Sequence, residues 1–208
     1  EENGGSLLLL CRGRSCHVPS SLGSLFALQK LDMSGCSILQ KLPESLGGLV
    51  VLKELIMECC AGLLYLPDTI GDLASLTRLD LEGCERLSSL PEAFSSLSTL
   101  QVLCLDGCGG LYSLPECFGH LPALKELGLS NCCRLARLPG SFGCLHALEK
   151  MDLLGCFALS SLPESFGNLA ALNELDLSRC HGLFSLPESF GRLAALKKLK
   201  LSSSSCKT

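Results

Sequence analysis

Between Leu172 and Ala195 the chain first alternates apolar and polar residues. Leu175 and Leu177 point one way, and Glu174, Asp176 and Ser178 the other. That is the period of a strand with one buried face. Cys180 then turns inward, where a small thiol with a weak donor can sit near the turn carbonyls, and Leu183 and Leu186 continue the buried set. Pro187 is suited to the first residue of a short helical turn, because φ is preset and no N–H is left unpaired there. Glu188 suits the positive end of that turn, Phe190 plugs the core and Gly191 is expected to end the turn. Leu193 and Leu196 lead into the next strand.

This pattern recurs every 24 residues without insertion or deletion. Leucine keeps the step from Leu28 to Leu196, and proline keeps it from Pro19 to Pro187. An unbroken period of this length means stacked units sharing a core with their neighbours, not one central core. The array is expected over residues 28–201. Residues 1–27 form a degenerate N-terminal repeat or cap, and residues 202–208 a polar tail. In the first unit Leu7, Leu9, Val18, Pro19, Leu22 and Leu25 hold the register, while Gly4, Arg12 and Ser15 replace the expected Leu, Cys and Leu. Nine parallel strands about 4.8 Å apart predict a sheet roughly 40 Å along its inner face. Strands crowd the concave side and bulkier turns fill the convex side, which bends the array into an arc.

Composition narrows the function. Hydrophobic residues make up 47% and mean hydropathy is +0.38, as expected for a core spread along the chain. The longest apolar run, Leu7 to Cys11, is far short of the ~18 residues of a membrane helix, so no membrane partner is expected. Glu1-Glu2 does not read as a signal peptide, and the missing initiator Met reads as a piece of a longer or processed chain. A net charge of −4 and a pI near 5.6 argue against nucleic acid. Of fifteen cysteines, Cys36, Cys60, Cys84, Cys108, Cys132, Cys156 and Cys180 occupy one inward column, and the other eight share no spacing. The count is odd and no Asn-x-Ser/Thr sequon occurs, so the thiols read as reduced and the protein as cytoplasmic.

The repeat matches the L-x-x-L-x-L-x-x-N/C-x-L signature of leucine-rich repeats. Its extended form, C-x-x-L-x-x-L-P-x-x-F-G-x-L, is carried by LDMSGCSILQKLPESLGGL at Leu31 to Leu49 and LDLSRCHGLFSLPESFGRL at Leu175 to Leu193. It resembles plant cytoplasmic leucine-rich repeats, above all those of nucleotide-binding immune receptors, and more loosely the plant intracellular Ras-group repeat proteins. The L-x-G-x-I-P pattern and asparagine ladder of extracellular plant receptors are absent, as is a G-x-x-x-x-G-K-[ST] phosphate loop. The resemblance implies an α/β horseshoe solenoid of 24-residue repeats, with a parallel β-sheet on the concave face and short helical or 3-10 turns on the convex side. It also implies protein recognition in plant defence.

Positions that vary between repeats carry what information there is about a partner. Two outward columns hold Asp32, Asp80, Asp152, Asp176, Glu58, Glu82 and Asp106 against Lys200 alone, beside a mixed column that includes Arg78, Glu126, Lys150 and Glu174. An acidic stripe of this kind favours a protein partner with a basic patch; the plainer reading is that these acids keep an exposed sheet soluble. Val102, Cys104, Gly128 and Leu154 place small and apolar groups mid-face, flanked by Asp106 and Lys150, a hot-spot layout or simple drift. With Arg179 these residues form the candidate interface. Tyr65, Tyr112, Phe157 and Phe184 fall on one flank, as interface or as packing between turns. The extra thiols of the Cys59-Cys60 and Cys132-Cys133 pairs read as incidental.

No enzyme is expected. Asp152 and Asp176 are adjacent carboxylates, but on an open face beside Lys150 and Arg179. No cofactor or resident metal is expected either: His120, Cys144 and His146 follow no zinc spacing, and His17 and His181 read as isolated surface residues. The alternatives to a recognition scaffold are a structural module associating end to end through the Leu199–Leu201 edge, and the recognition arm of a larger enzyme.

Overall fold

A computed structural model describes residues 5–8 and 18–202. Gly4, Cys11, Arg12, Ser15, Cys16, His17, Cys206 and most of the expected polar tail lie outside the described residues. Among the described residues nine parallel strands stand side by side in chain order. They are β1 (Gly5–Leu8), β2 (Leu28–Asp32), β3 (Glu54–Ile56), β4 (Arg78–Asp80), β5 (Val102–Cys104), β6 (Glu126–Gly128), β7 (Lys150–Asp152), β8 (Glu174–Asp176) and β9 (Lys198–Lys200). From β2 to β9 the register keeps the sequence period, with Lys30 opposite Glu54 and Asp176 opposite Lys200. In the degenerate unit β1 shifts register between Gly5 and Ser6, then pairs Leu7 with Leu31.

Two inward columns build the core. Leu31, Leu55, Leu79, Leu103, Leu127, Met151 and Leu175 are fully or nearly fully buried, as are Met33, Met57, Leu81, Leu105, Leu129, Leu153 and Leu177. Their backbone amides stitch each repeat to the next, as in Met57 N–H to the Asp80 carbonyl at 2.8 Å. The cysteine column closes the next level. Cys60 donates its thiol to the Met33 carbonyl at 3.2 Å, and the same step runs through to Cys180 on Leu153 at 3.1 Å. The described cysteines form no disulfide.

Burial pushes the Cys60 and Cys84 thiols from an ordinary 9.0 up to about 12. The native state therefore holds these protons to higher pH than the unfolded chain. The stability they contribute is complete below the unfolded value and is lost as pH climbs from about 9 toward 12. The urea midpoint should fall across that window. In the native protein iodoacetamide should spare Cys84 and modify the exposed Cys133; equal labelling would contradict the ladder.

Opposite the sheet, eight 3-10 turns among the described residues run from Ser20–Ser24 to Glu188–Arg192. The prolines sit one residue earlier than expected. Each lies just before its turn in extended backbone (Pro139, φ −66, ψ 156), and its carbonyl accepts the N–H three residues on. A 3-10 turn closes i to i+3 bonds, so the carbonyl of the residue before it starts the ladder. Gly191 likewise lies inside its turn rather than ending it. Glycine in this column serves close packing: a Cβ on Gly119, Gly143 or Gly167 would strike a backbone carbonyl of the following turn. Phe94, Phe118, Phe142, Phe166 and Phe190 stack along the turns with ring centroids 6.0–6.3 Å apart.

Gly35, Cys59, Gly83, Gly107, Asn131, Gly155 and Arg179 share one corner after the strand, with φ between 57 and 74. Left-handed backbone there turns each strand toward the core. Glycine at four of the seven positions was the available signal.

Candidate functional site

The outer face of the sheet carries charges that pair across strands. Lys30 meets Glu54 at 2.8 Å, Lys150 meets Glu126 at 3.2 Å, Lys198 meets Glu174 at 3.3 Å and Lys200 meets Asp176 at 2.8 Å. Three of these pairs are well exposed on both sides and contribute little to stability. They neutralise the mixed column; of the seven acids of the stripe, only Asp80 and Asp176 hold a cationic partner within ion-pair distance among the described residues.

The aspartates of the stripe also have backbone work. Asp32, Asp80, Asp152 and Asp176 each accept the N–H two residues on, at 2.9, 3.2, 2.8 and 2.9 Å. This local bond holds the chain as it leaves the strand. Gly128 stands where that aspartate should be in its repeat. Asp106 replaces it from the preceding repeat, its Oδ1 accepting the Ser130 N–H at 2.6 Å. The glycine makes this possible, since a Cβ at 128 would lie 2.7 Å from the Asp106 carboxylate. Cys104 donates its thiol to the other Asp106 oxygen at 3.3 Å. What looked like drift at Cys104 and Gly128 is therefore one arrangement spanning two repeats.

Asp80 is not presented to a partner. It is only 2% exposed, covered by Arg78 at 2.6 Å. Ile56, in the same outward column, is buried as well. Glu82 is exposed, and burial followed by the charges of Asp106, Asp80 and Glu58 raises its pKa. Asp152 is half-buried and its pKa is raised, first by burial, then by Asp176 and Asp106. In Asp176 burial acts upward too, but the hydrogen bonds from Lys200 and Ser178 outweigh it and the pKa is lowered.

A shallow concavity of about 350 Å³ lies over β4 to β9. Of the expected interface it is lined by Arg78, Val102, Cys104, Asp106, Glu126, Gly128, Lys150, Asp152, Glu174 and Asp176. Glu82, Leu154 and Arg179 lie outside that lining: Glu82 and Leu154 just before the left-handed corner and Arg179 at it, where its N–H bonds to the Ser202 carbonyl at 2.9 Å. On the flank, Tyr65, Tyr112, Phe157 and Phe184 are exposed. His181 is not isolated: its ring stacks on Phe157 at 5.6 Å. Among the described residues Asp80, Glu82 and Cys104 bring three potential metal ligands within 4.8 Å of one another, but Asp80 is held by Arg78 and Cys104 by Asp106.

A family model described as a leucine-rich repeat region matches residues 85–208, more than half of the chain, and a second, described as a leucine rich repeat, matches residues 27–49. The chain belongs to the leucine-rich repeat family. Among solved structures, this leucine-rich repeat chain resembles the repeat domain of the type III effector XopL at 26% identity and a TM-score of 0.78, over 95% of this chain and 68% of that one. The Leptospira interrogans repeat protein LIC12759 is 25% identical, with a TM-score of 0.58, over 98% of this chain and 62% of that one. The Arabidopsis receptor kinase HAESA, solved with the peptide hormone IDA and the co-receptor SERK1, is 26% identical, with a TM-score of 0.59, over 91% of this chain and 36% of that one. No curated protein matches. Repeat arrays of this kind typically serve as recognition scaffolds built on an extended curved surface. Among the described residues no helix is long and apolar enough to cross a membrane.

Proposed function

We propose that this leucine-rich repeat array is a non-catalytic recognition module of a plant immune-type, cytoplasmic protein, binding a protein partner through its concave sheet. The boundaries proposed are residues 1–27 for the first unit, 28–201 for the array and 202–208 for the tail. One observation carries the reading. The sheet leaves one long face uncovered, and that face forms a concavity rimmed by ion pairs, with Val102, Cys104 and Gly128 at its middle. The HAESA structure, in which a receptor with this fold holds a peptide hormone and a co-receptor, supports a polypeptide ligand. The carboxylates left over after internal pairing favour a partner with a basic patch.

Because the aspartates hold backbone, reversing them would test folding rather than binding. Glu82, Glu126 and Glu174 have no such task. Partners recovered by proximity labelling in plant cells should be lost with Glu82→Lys, Glu126→Lys and Glu174→Lys combined. They should persist with lysine at Glu92, Glu116 and Glu188, which sit in the 3-10 turns. Identical partners from both variants would defeat the reading.

A second reading is a structural module that associates end to end; the recognition arm of a larger enzyme is a separate alternative. End-to-end association is motivated by the last described repeat, where Leu186, Phe190 and Leu196 are only partly buried and Leu199 is 39% exposed. Sedimentation should then show dimers that disappear in Leu199→Lys; a monomer at high concentration would remove it.

A further inference from the structure

Between the left-handed corner and each 3-10 turn runs a short flank segment, from residues 37–41 to residues 181–185. Its middle leucine is buried, from Leu39 to Leu183, and most of its other side chains are exposed. Neighbouring segments are joined by single backbone bonds, such as Ala136 N–H to the Tyr112 carbonyl at 3.3 Å and Ser160 N–H to the Ala136 carbonyl at 3.2 Å. Equivalent positions therefore lie side by side along the flank.

The charge of this flank is opposite to that of the rest of the chain. Its segments hold Lys41, Arg86, Arg134 and Arg137 against Glu85 alone, in a chain of net charge −4. All four cations are exposed, and among the described residues none is in an ion pair or a side-chain hydrogen bond. Acids bound the flank on both sides. The 3-10 turns present Glu92, Glu116, Glu164 and Glu188, and the sheet presents its acidic stripe.

The same segments carry exposed rings that pack nothing in the core: Tyr112 is 52% and Phe184 68% exposed, and Phe157 stacks only on His181. Only Ala136 and Ser160 separate Tyr112 from Phe184 in their column. Rings and cations alternate one repeat at a time: Tyr65, then Arg86, Tyr112, Arg134 with Arg137, and Phe157. Arginine and aromatic side chains are the residues that interface cores enrich.

We infer that this flank is a second interaction surface, which docks an acidic segment of a protein partner. The carboxylates of that segment lie on Arg86, Arg134 and Arg137, and its apolar side chains on Tyr112, Phe157 and Phe184. Guanidinium groups take carboxylates in a two-bond fork, and rigid rings beside them add apolar contact at low entropic cost. A polypeptide suits the surface better than a nucleic acid strand. A strand carries a charge at every unit, whereas the cations here come in alternate repeats between two acidic rows. The flank shares no residue with the concave interface, so the two readings stand or fall separately.

The test uses the whole chain, a capped peptide alternating glutamate with leucine, and its glutamine counterpart. In amide NMR spectra the glutamate peptide should shift Tyr112, Ala136 and Ser160, and the glutamine peptide should bind at least about tenfold more weakly. Arg134→Gln with Arg137→Gln removes no internal ion pair and should weaken the glutamate peptide by a similar factor. Tyr112→Ser with Phe184→Ser introduces the residue that the same column already holds at Ser88 and Ser160. It should weaken both peptides alike, because it removes apolar contact and not charge. Lys30→Gln with Lys150→Gln, on the concave sheet, should change nothing. A glutamate peptide that binds no better than the glutamine one would overturn the inference. So would unchanged affinity in the arginine or the aromatic variant, or shifts confined to the concave sheet. A short oligothymidylate that moves the same amides and binds more tightly than the peptide would overturn it too, and would mark the flank as a nucleic-acid surface.

Discussion

Phe142→Ala should lower stability by about 3–5 kcal/mol and split the unfolding transition. The ring is fully buried and stands at the centre of the five-ring stack, 6.0 Å from Phe118 on one side and 6.0 Å from Phe166 on the other. Removing it opens a cavity shared by three consecutive repeats. In a solenoid each repeat is stabilised only by its neighbours, so an interior loss weakens two interfaces at once and uncouples the halves. Phe142→Leu should cost only about 1–2 kcal/mol. The same column carries Leu22, Leu46 and Ile70 in the first repeats, and all three are buried there. Urea unfolding of the two variants decides the matter. An alanine variant no less stable than the leucine one, with a single sharp transition, would show that the stack is incidental to the coupling.

The repeat was legible in the sequence because every coil of a solenoid solves the same packing problem, so apolar positions recur at one period. That was enough for the parallel sheet, the inward leucines and the thiol ladder. Local turn geometry was less legible. Pro139 before its turn and Gly143 within it differ from expectation by small steps along the chain, which an apolar pattern does not resolve. The left-handed corner was obscured because Cys59, Asn131 and Arg179 break the run of glycines. The candidate face was read correctly as a set of columns and incompletely as a surface. The burial of Asp80 depends on Arg78 folding over it, and the role of Asp106 on a bond to a residue 24 positions away. Contacts between coils are invisible to a reading that takes one coil at a time.

Two glycines of one column should respond to alanine in opposite directions. Gly143 and Gly191 occupy the same place in equivalent 3-10 turns. In neither is the backbone left-handed, so alanine meets no conformational strain at either. The difference lies in what stands beside them. A Cβ on Gly143 would strike the carbonyl of Ser165 in the next turn, and that backbone can yield only by prising the two repeats apart. Gly143→Ala should therefore cost about 1–3 kcal/mol or more, and it should weaken the stacking of Phe142 on Phe166. At Gly191 nothing among the described residues lies within 4 Å of the added carbon. The chief effect there is the lower entropy of the unfolded chain, so Gly191→Ala should be stabilising by about 0.4–1 kcal/mol. Chemical denaturation of both variants measures the contrast directly. Equal losses at the two sites would mean that glycine is needed for the turn itself, and that the close approach of neighbouring coils does not set this column.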